Sequence, residues 1–314
     1  MHNSWDKNDP KDAEVIVHML KTGVKQQFYD PFIHGFQDIE ELSKMHYQVS
    51  LRKMKVQHSI LTHYLPLYFP EAEKYFCSSR AAWFSRVLYN FPSPHYIKEM
   101  GEQQFIAKAW ELVGRKVAKE NFLKDFYETA SNSIGLPVSV DSSALKMFKM
   151  SLKEHCELCM KRKELEDLAH QMLKDNKVYQ ILRTVPGIGP IIALTIISET
   201  GQFDRFSHHR QYLKFCGFDL STYQSGQFRG QSKLSKRGNH RLRCAYWLAA
   251  TVAVRMRENT FRNKYQRYIK NDPDNTDLKR KAIVGVAAKI ARVCYGLVKK
   301  QSEYRPYYDE DIPG

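Results

Sequence analysis

The residues best suited to chemistry stand together in the stretch from Tyr223 to Arg243. Ser225 sits beside Gly226 there, and the cations Arg229, Lys233, Lys236, Arg237, Arg241 and Arg243 follow. No carboxylate occurs between Asp219 and Glu258. A solvated face mixes both signs, so a run of one sign reads as a surface for an anion, and a phosphate backbone suits it best. A serine hydroxyl in such a place has two uses. It donates a hydrogen bond to a phosphate oxygen, or, activated by a base or a metal, it attacks the phosphorus. Ser221, Ser232 and Ser235 lie close by in sequence and compete for either role.

Three other groups have chemical potential. Asp9 and Asp12 are three residues apart with Pro10 between them. On a helix they share a face and could share a Mg²⁺, although acidic residues in a helix's first turn are also explained by capping and the macrodipole. Gly187 and Gly189, in Val185-Pro-Gly-Ile-Gly-Pro190, read as a tight hairpin between two helices. Glycine permits close approach of another backbone, and the amides at the start of the second helix would face an incoming phosphate. The alternative is a corner that serves packing alone. Cys156 and Cys159, with His155 beside them, fall inside a helical pattern. No second Cys/His pair has zinc spacing and no strand precedes them, so they read as ordinary helix residues.

Helices must carry these groups. Ile39, Leu42, Met45, Val49, Ile60, Leu61 and Tyr64 predict a helix over 37–65, about 42 Å long at about 1.5 Å per residue, closed by Pro66 and Pro70. Residues 24–29 suit a strand and 30–31 a turn. Short helices fill 75–131, and 135–137 reads as a linker. Leu145, Phe148, Leu152, His155 and Cys159, then Leu165, Leu168 and Met172 in a shifted phase, predict a coiled-coil-like arm over 142–176. In the helix after the basic stretch, Leu242, Tyr246, Leu248, Ala249, Val252 and Met256 are expected to face inward. The last helix follows over 278–300, and the tail from Ser302 is expected on the surface.

With 314 residues, 43% hydrophobic and 26% charged, the chain can bury a sizeable core. Its net charge of +15 points to a polyanion. No apolar run approaches the roughly 20 residues of a membrane-spanning helix, and the N-terminus has no secretory pattern. Six scattered cysteines fit a reducing cytosol.

The glycine hairpin, Tyr223-Gln-Ser-Gly226, Leu234-Ser-Lys-Arg-Gly-Asn239 and Leu242–Arg243 occur in that order after Asn8-Asp-Pro-Lys-Asp12-Ala13. The ordered set resembles the DEDD transposases of bacterial insertion sequences, the family of Piv-type DNA invertases and RNA-guided bridge recombinases. The resemblance spans nearly the whole chain. It implies a mainly α chain with the remnant of a RuvC-like (RNase H fold) domain at 1–36. A helical coiled-coil linker at 37–176, an α-helical transposase domain with a helix-hairpin-helix at 177–301 and a tail at 302–314 complete the implied order.

By the same resemblance Asp9 and Asp12 match the last two acids of an Asp-Glu-Asp-Asp set that binds Mg²⁺, and Ser225 matches the nucleophile. The active site would be composite, joining the serine of one subunit to the carboxylates of another in a dimer or tetramer. The implied partners are element-end and target DNA and a guide RNA, in the bacterial cytoplasm at the nucleoid. Eight residues precede Asp9, so the first Asp, the Glu and most of the sheet are expected to lie outside this sequence. A truncated copy, an upstream start and a separate coding segment are all consistent with that. The rival readings are a non-catalytic helix-hairpin-helix nucleic-acid-binding protein and a repair or architectural protein.

Overall fold

Apolar positions at helical spacing, punctuated by proline and glycine, produce a mainly α-helical chain. Its computed structural model describes residues 9–23, 35–77, 80–115, 117–139, 141–221, 224–225, 228–229, 233–235, 237–257 and 259–306. For 9–12 and for the strand residues other than Leu234, the backbone alone is described. The chain divides into two units, Met1–Gln37 and Asp38–Gly314. The first contains α1 (Asp9–Lys21), where Thr22 Oγ1 donates to the His18 carbonyl at 2.8 Å. The expected strand at 24–29 and turn at 30–31 lie outside the described residues.

The second unit takes up all but the first residue of α2 (Gln37–Ser59), which passes through a π turn (Ile60–Tyr64) into α3 (Leu65–Tyr68). Pro66 therefore does not end this helix, as the sequence suggested. The wider π turn ahead of Pro66 accommodates a ring that would clash with the carbonyl four residues back. The stop comes at Phe69, whose φ of −159° and ψ of 67° leave the helical region, which a residue before proline disfavours. Next come α4 (Ala81–Asn90), α5 (Pro94–Met100), α6 (Glu102–Ala109) and α7 (Lys119–Ser131). Phe84, Phe105, Phe122, Phe126 and Tyr75 meet in the aromatic centre of this region. Residues 135–137 are tied down rather than free: Leu136 N donates to the Leu67 carbonyl at 3.0 Å, and Glu71 receives Ser133 Oγ and Ile134 N.

Helix α8 (Ser143–Leu173) starts at Ser142, whose side chain accepts from Leu145 N. Its first half packs on α4 and its far end approaches α10 (Pro190–Thr200), which follows α9 (Lys177–Thr184). The buried stripe runs Leu145, Phe148, Leu152, His155, Leu158, then Ala169 and Leu173. The expected seam through Leu168 and Met172 is off by one position, and both residues are exposed. Between Leu158 and Ala169 no residue is fully buried, so the helix bridges two packing regions instead of keeping one continuous seam. Cys156 and Cys159 are half-buried, and burial pushes the Cys156 thiol up to about 11 and raises that of Cys159, which keeps both protonated.

The C-terminal region adds α11 (His209–Phe215), the strands β1 (Leu220–Ser221), β2 (Gln224–Ser225), β3 (Phe228–Arg229) and β4 (Lys233–Leu234), then α12 (His240–Ala253), α13 (Thr260–Ile269) and α14 (Thr276–Lys300). Tyr212 and Tyr246 are fully buried at its centre with hydroxyls 2.6 Å apart, and Thr200 Oγ1 lies 3.2 Å from Tyr212. The inward face of α12 is Leu242, Ala245, Tyr246, Ala249, Ala250 and Ala253. Leu248, Val252 and Met256, expected inside, are exposed. Small alanines win the buried face because α10 and α14 both pack closely on it. The tail is also anchored: Tyr304 N donates to Thr184 Oγ1 at 2.9 Å and its ring stacks on Phe261.

His155 is completely buried, with Nδ1 2.8 Å from Ser85 Oγ. Burial, helped by the charge of Lys53, lowers its pKa to about 4. The folded state thus binds its proton later than the unfolded state does, so stability is fully present above about pH 6.5 and is lost as pH falls towards 4. The contribution is at most about 3 kcal/mol by the same linkage. His46, also lowered by burial, acts in the same direction. Urea melts between pH 7 and pH 4 are expected to show this loss, and His155→Gln to flatten it.

Candidate nucleic-acid interface

Two local structures bear the sequence-derived binding residues, and both are fixed by close backbone approaches. The first is the turn between α9 and α10. Asn176 caps α9 by accepting from Tyr179 N, and the chain turns through residues 185–189 into Pro190 at the start of α10. Gly187 has φ +88°, and an added Cβ would stand 2.2 Å from the Ala249 carbonyl oxygen and 3.1 Å from Ala253 Cβ. Its glycine is therefore required by packing against α12, whatever else the turn does. Arg183 Nη1 donates to the Ile188 carbonyl at 3.0 Å and holds the turn's shape. Gly189 is open on its Cα side, with only Arg183 Nη1 at 3.9 Å. No side chain caps the start of α10, so its first amides keep donor capacity for an anion.

The second structure, the hairpin region, is two separate two-stranded antiparallel ladders, the inner one nested within the outer in sequence. β1 pairs with β4 through Leu220↔Leu234 and Ser221↔Lys233, and β2 pairs with β3 through Gln224↔Arg229 and Ser225↔Phe228. Gly226 and Gln227, between Ser225 and Phe228, lie outside the described residues. Ser225 is thus at the last described rung, one step in the ladder from Arg229.

The base of the hairpin is clamped. Ser235 N donates to the Asp219 carbonyl at 2.9 Å, and Asn239 N to the Phe215 carbonyl at 2.8 Å. Gly238, with φ +110°, rests on the C-terminal carbonyls of α11. A Cβ there would be 2.6 Å from Phe215 O and 2.8 Å from Lys214 O. Asn239 then does two jobs: Oδ1 accepts from Leu242 N to cap α12, and Nδ2 donates to Glu199 Oε2 at 2.6 Å. The other oxygen of Glu199 lies 2.6 Å from Arg241 Nη1, with both side chains about 15% exposed. Arg241 Nη2 also donates to the Ser43 carbonyl and Oγ on α2, and its guanidinium lies over the Tyr47 ring.

This corrects the expectation for Arg241. The sequence shows no nearby carboxylate, but the fold brings Glu199 from the end of α10, so this cation is already paired. Arg237 remains exposed, and Arg243 is half-buried with Nη1 beside Gly217. The side chains of Ser225, Arg229 and Lys233, and all of Lys236, lie outside the described residues. Asp9 and Asp12 stand at the first turn of α1 in the other unit, with only their backbone described. Among the described residues no three His, Cys, Asp or Glu side chains group to hold a metal ion, and no helix is long and apolar enough to cross a membrane. Sequence reasoning missed Glu199 and Arg183. Glu199 carries no local signal, because its partners Asn239 and Arg241 are reached only through the fold, whereas Arg183 acts on a carbonyl five residues away, which its sequence position alone did not single out.

Residues 179–266, which contain the glycine turn, the hairpin and the start of α12, match the family model described as Transposase IS116/IS110/IS902 family. A 142-residue stretch, 45% of the chain, is 28% identical to the Coxiella burnetii protein named "Transposase for insertion sequence element IS1111A". A 130-residue stretch, 40% of the chain, is 29% identical to a "Probable family 20 transposase" of Pseudomonas aeruginosa. These matches cover 38% and 37% of the two proteins, well under half of either. The resemblance to insertion-sequence transposases read from the ordered motifs is borne out at the level of family.

Glu199→Ala removes the partner of a largely buried arginine and of Asn239. It is expected to cost about 3 kcal/mol in urea unfolding, the usual penalty for leaving one member of such a pair. Gly187→Ala meets both a backbone oxygen and a positive φ, and should cost about 2 kcal/mol in the same assay.

Proposed function

From the match of residues 179–266 to the IS116/IS110/IS902 transposase family model, we propose that this chain takes part in the cutting and rejoining of DNA at an insertion sequence, with Ser225 as the nucleophile. The observation that carries the reading is the mounting of Ser225. It sits near the end of a cation-bearing hairpin whose base is clamped to α11 and, through Asn239 and Arg241, to Glu199. A nucleophile acts on a bound phosphodiester only if its carrier is held in place, and this base supplies that hold.

In the proposed step Ser225 Oγ forms a bond to phosphorus while the strand's bridging oxygen leaves and takes up a proton. The hydroxyl of a second strand then attacks the phosphoserine, the serine leaves, and the strands are exchanged. Arg229, Lys233, Lys236, Arg237 and Arg243 neutralise phosphates on either side of the reacting one, and the amides at the start of α10 take a further phosphate as a helix-hairpin-helix would. Such contacts position DNA without choosing its sequence, which fits a guide RNA supplying the choice.

Asp9 and Asp12 belong to the same proposal as Mg²⁺ ligands in a remnant of a RuvC-like domain. Their spacing on α1 fits a cation that takes one or two carboxylates and completes its shell with water and phosphate oxygens. When bound, Mg²⁺ would supply charge stabilisation at the reacting phosphate. Serine and carboxylates from different copies would make an oligomer the working form, inside the bacterial cell where the DNA is.

The test is strand exchange between an element end and its target, beside equilibrium binding of the same DNA. Ser225→Ala is expected to lower exchange by on the order of a thousandfold or more, as loss of a nucleophile does, while binding stays within about twofold. Exchange that survives the substitution would remove Ser225 from the chemistry. Wild-type binding with no exchange would favour the binding-only alternative.

A further inference from the structure

Away from the hairpin, α13 packs along α14, and the chain beyond α14 returns across them. Tyr304 fastens that return: its hydroxyl is 2.7 Å from Thr260 Oγ1 and its backbone N–H reaches Thr184. The three segments enclose a groove of ≈ 730 Å³. Lys264, Arg267, Lys289 and Arg305 line it with the rings of Tyr268 and Tyr304, and no carboxylate is part of the lining. Lys264 and Lys289 are half-buried, and among the described residues neither forms a salt bridge.

That arrangement is unfavourable by itself. Burial and the charge of Arg292 depress the Lys264 amine, and burial, Lys264 and Arg292 depress that of Lys289. Cations gathered in one concave, partly dehydrated place repel one another unless an anion joins them. The tyrosines narrow the choice of anion. Tyr268 is 47% exposed, its ring edge rests over Gly285 of α14, and Lys264 Nζ stands 5.7 Å from the ring centroid. An accessible aromatic face flanked by cations suits a nucleic-acid strand, with a base against the ring and its phosphates on the amines. An acidic peptide would use the cations and leave the tyrosine idle.

We propose that this groove is a second nucleic-acid contact, separate from the basic hairpin, which holds phosphates of a strand on Lys264, Lys289 and Arg305 and a base on Tyr268. The inference rests on the reading that the chain binds nucleic acid, and it adds where a second part of that polymer lies. Lys264 and Lys289 come from facing helices, so the site exists only when α13 is docked on α14.

The experiment follows a fluorescently labelled single-stranded oligonucleotide by anisotropy across a salt series, with the full chain. The double variant Lys264→Gln/Lys289→Gln is expected to bind about tenfold or more weakly. It should also lower the slope of log affinity against log salt by about 1 to 2, since each lost phosphate contact removes about one released counterion. Tyr268→Leu should weaken binding with the slope unchanged, because stacking releases no counterion. Lys264→Arg/Lys289→Arg should bind as the wild type does, and urea melts of the glutamine variant should show stability kept or raised as repulsion is relieved.

If the glutamine variant keeps wild-type affinity and slope while Arg237→Gln in the hairpin weakens binding, the groove proposal falls and the hairpin reading stands. If the wild type binds no oligonucleotide, both fall. Competition by polyglutamate as strong as by unlabelled oligonucleotide would assign the groove to an acidic peptide instead and overturn the proposal.

Discussion

The carboxylate of Glu199 is the joint on which the basic segment is mounted. One oxygen takes Asn239 and the other takes Arg241, each at 2.6 Å. Through Asn239 the same joint begins α12, and through Arg241 it reaches α2 at Ser43. A buried carboxylate is costly unless its lone pairs are filled, and here two side chains from one turn of sequence fill them. Position follows from that requirement. Gly238 and Asn239 cannot leave α11 or α10 without leaving Glu199 and the α11 carbonyls unsatisfied, so the segment before them starts from a fixed place.

Close backbone approach supplies the second constraint, and glycine marks where it acts. Gly187 admits the Ala249 carbonyl and Gly238 admits the end of α11. These contacts set the glycine turn against the alanine face of α12 and the residues before α12 against the end of α11. Directional bonds and short approaches thus position the interface, while the aromatic cluster around Tyr212 and Tyr246 provides the apolar bulk beneath it. The distribution of charge then has a simple logic. A cation that the fold needs, such as Arg241, is given a carboxylate. Lys264 and Lys289, which face each other across α13 and α14, are given none among the described residues and remain available to a ligand.

Much of this was legible in the residues. The helices at 142–176 and 278–300 and the turn through Gly187 follow from apolar spacing, proline and glycine, all of which act within a few positions. The errors fall where neighbours decide. Pro66 reads as a stop, yet a π turn carries the helix past it. Leu248 and Val252 read as core, yet alanines one position away are buried because α10 and α14 crowd that face. The tail from Ser302 reads as a surface segment, and the sequence gives no sign that Tyr304 docks on Phe261 and Thr184.

By itself the sequence determined the mainly helical build, the basic character, the ordered motifs and through them the resemblance to insertion-sequence transposases. Those depend on local periodicity, net charge and residue order, which need no partner in space. The tertiary structure alone decided which cations are spent and which are kept. Arg241 lost its place in the anion-binding run to a glutamate more than forty residues upstream, and Lys264 and Lys289 met from two separate helices. Coulomb interaction and desolvation act over distances in ångströms, and a string of residues carries no such distances until the chain has folded.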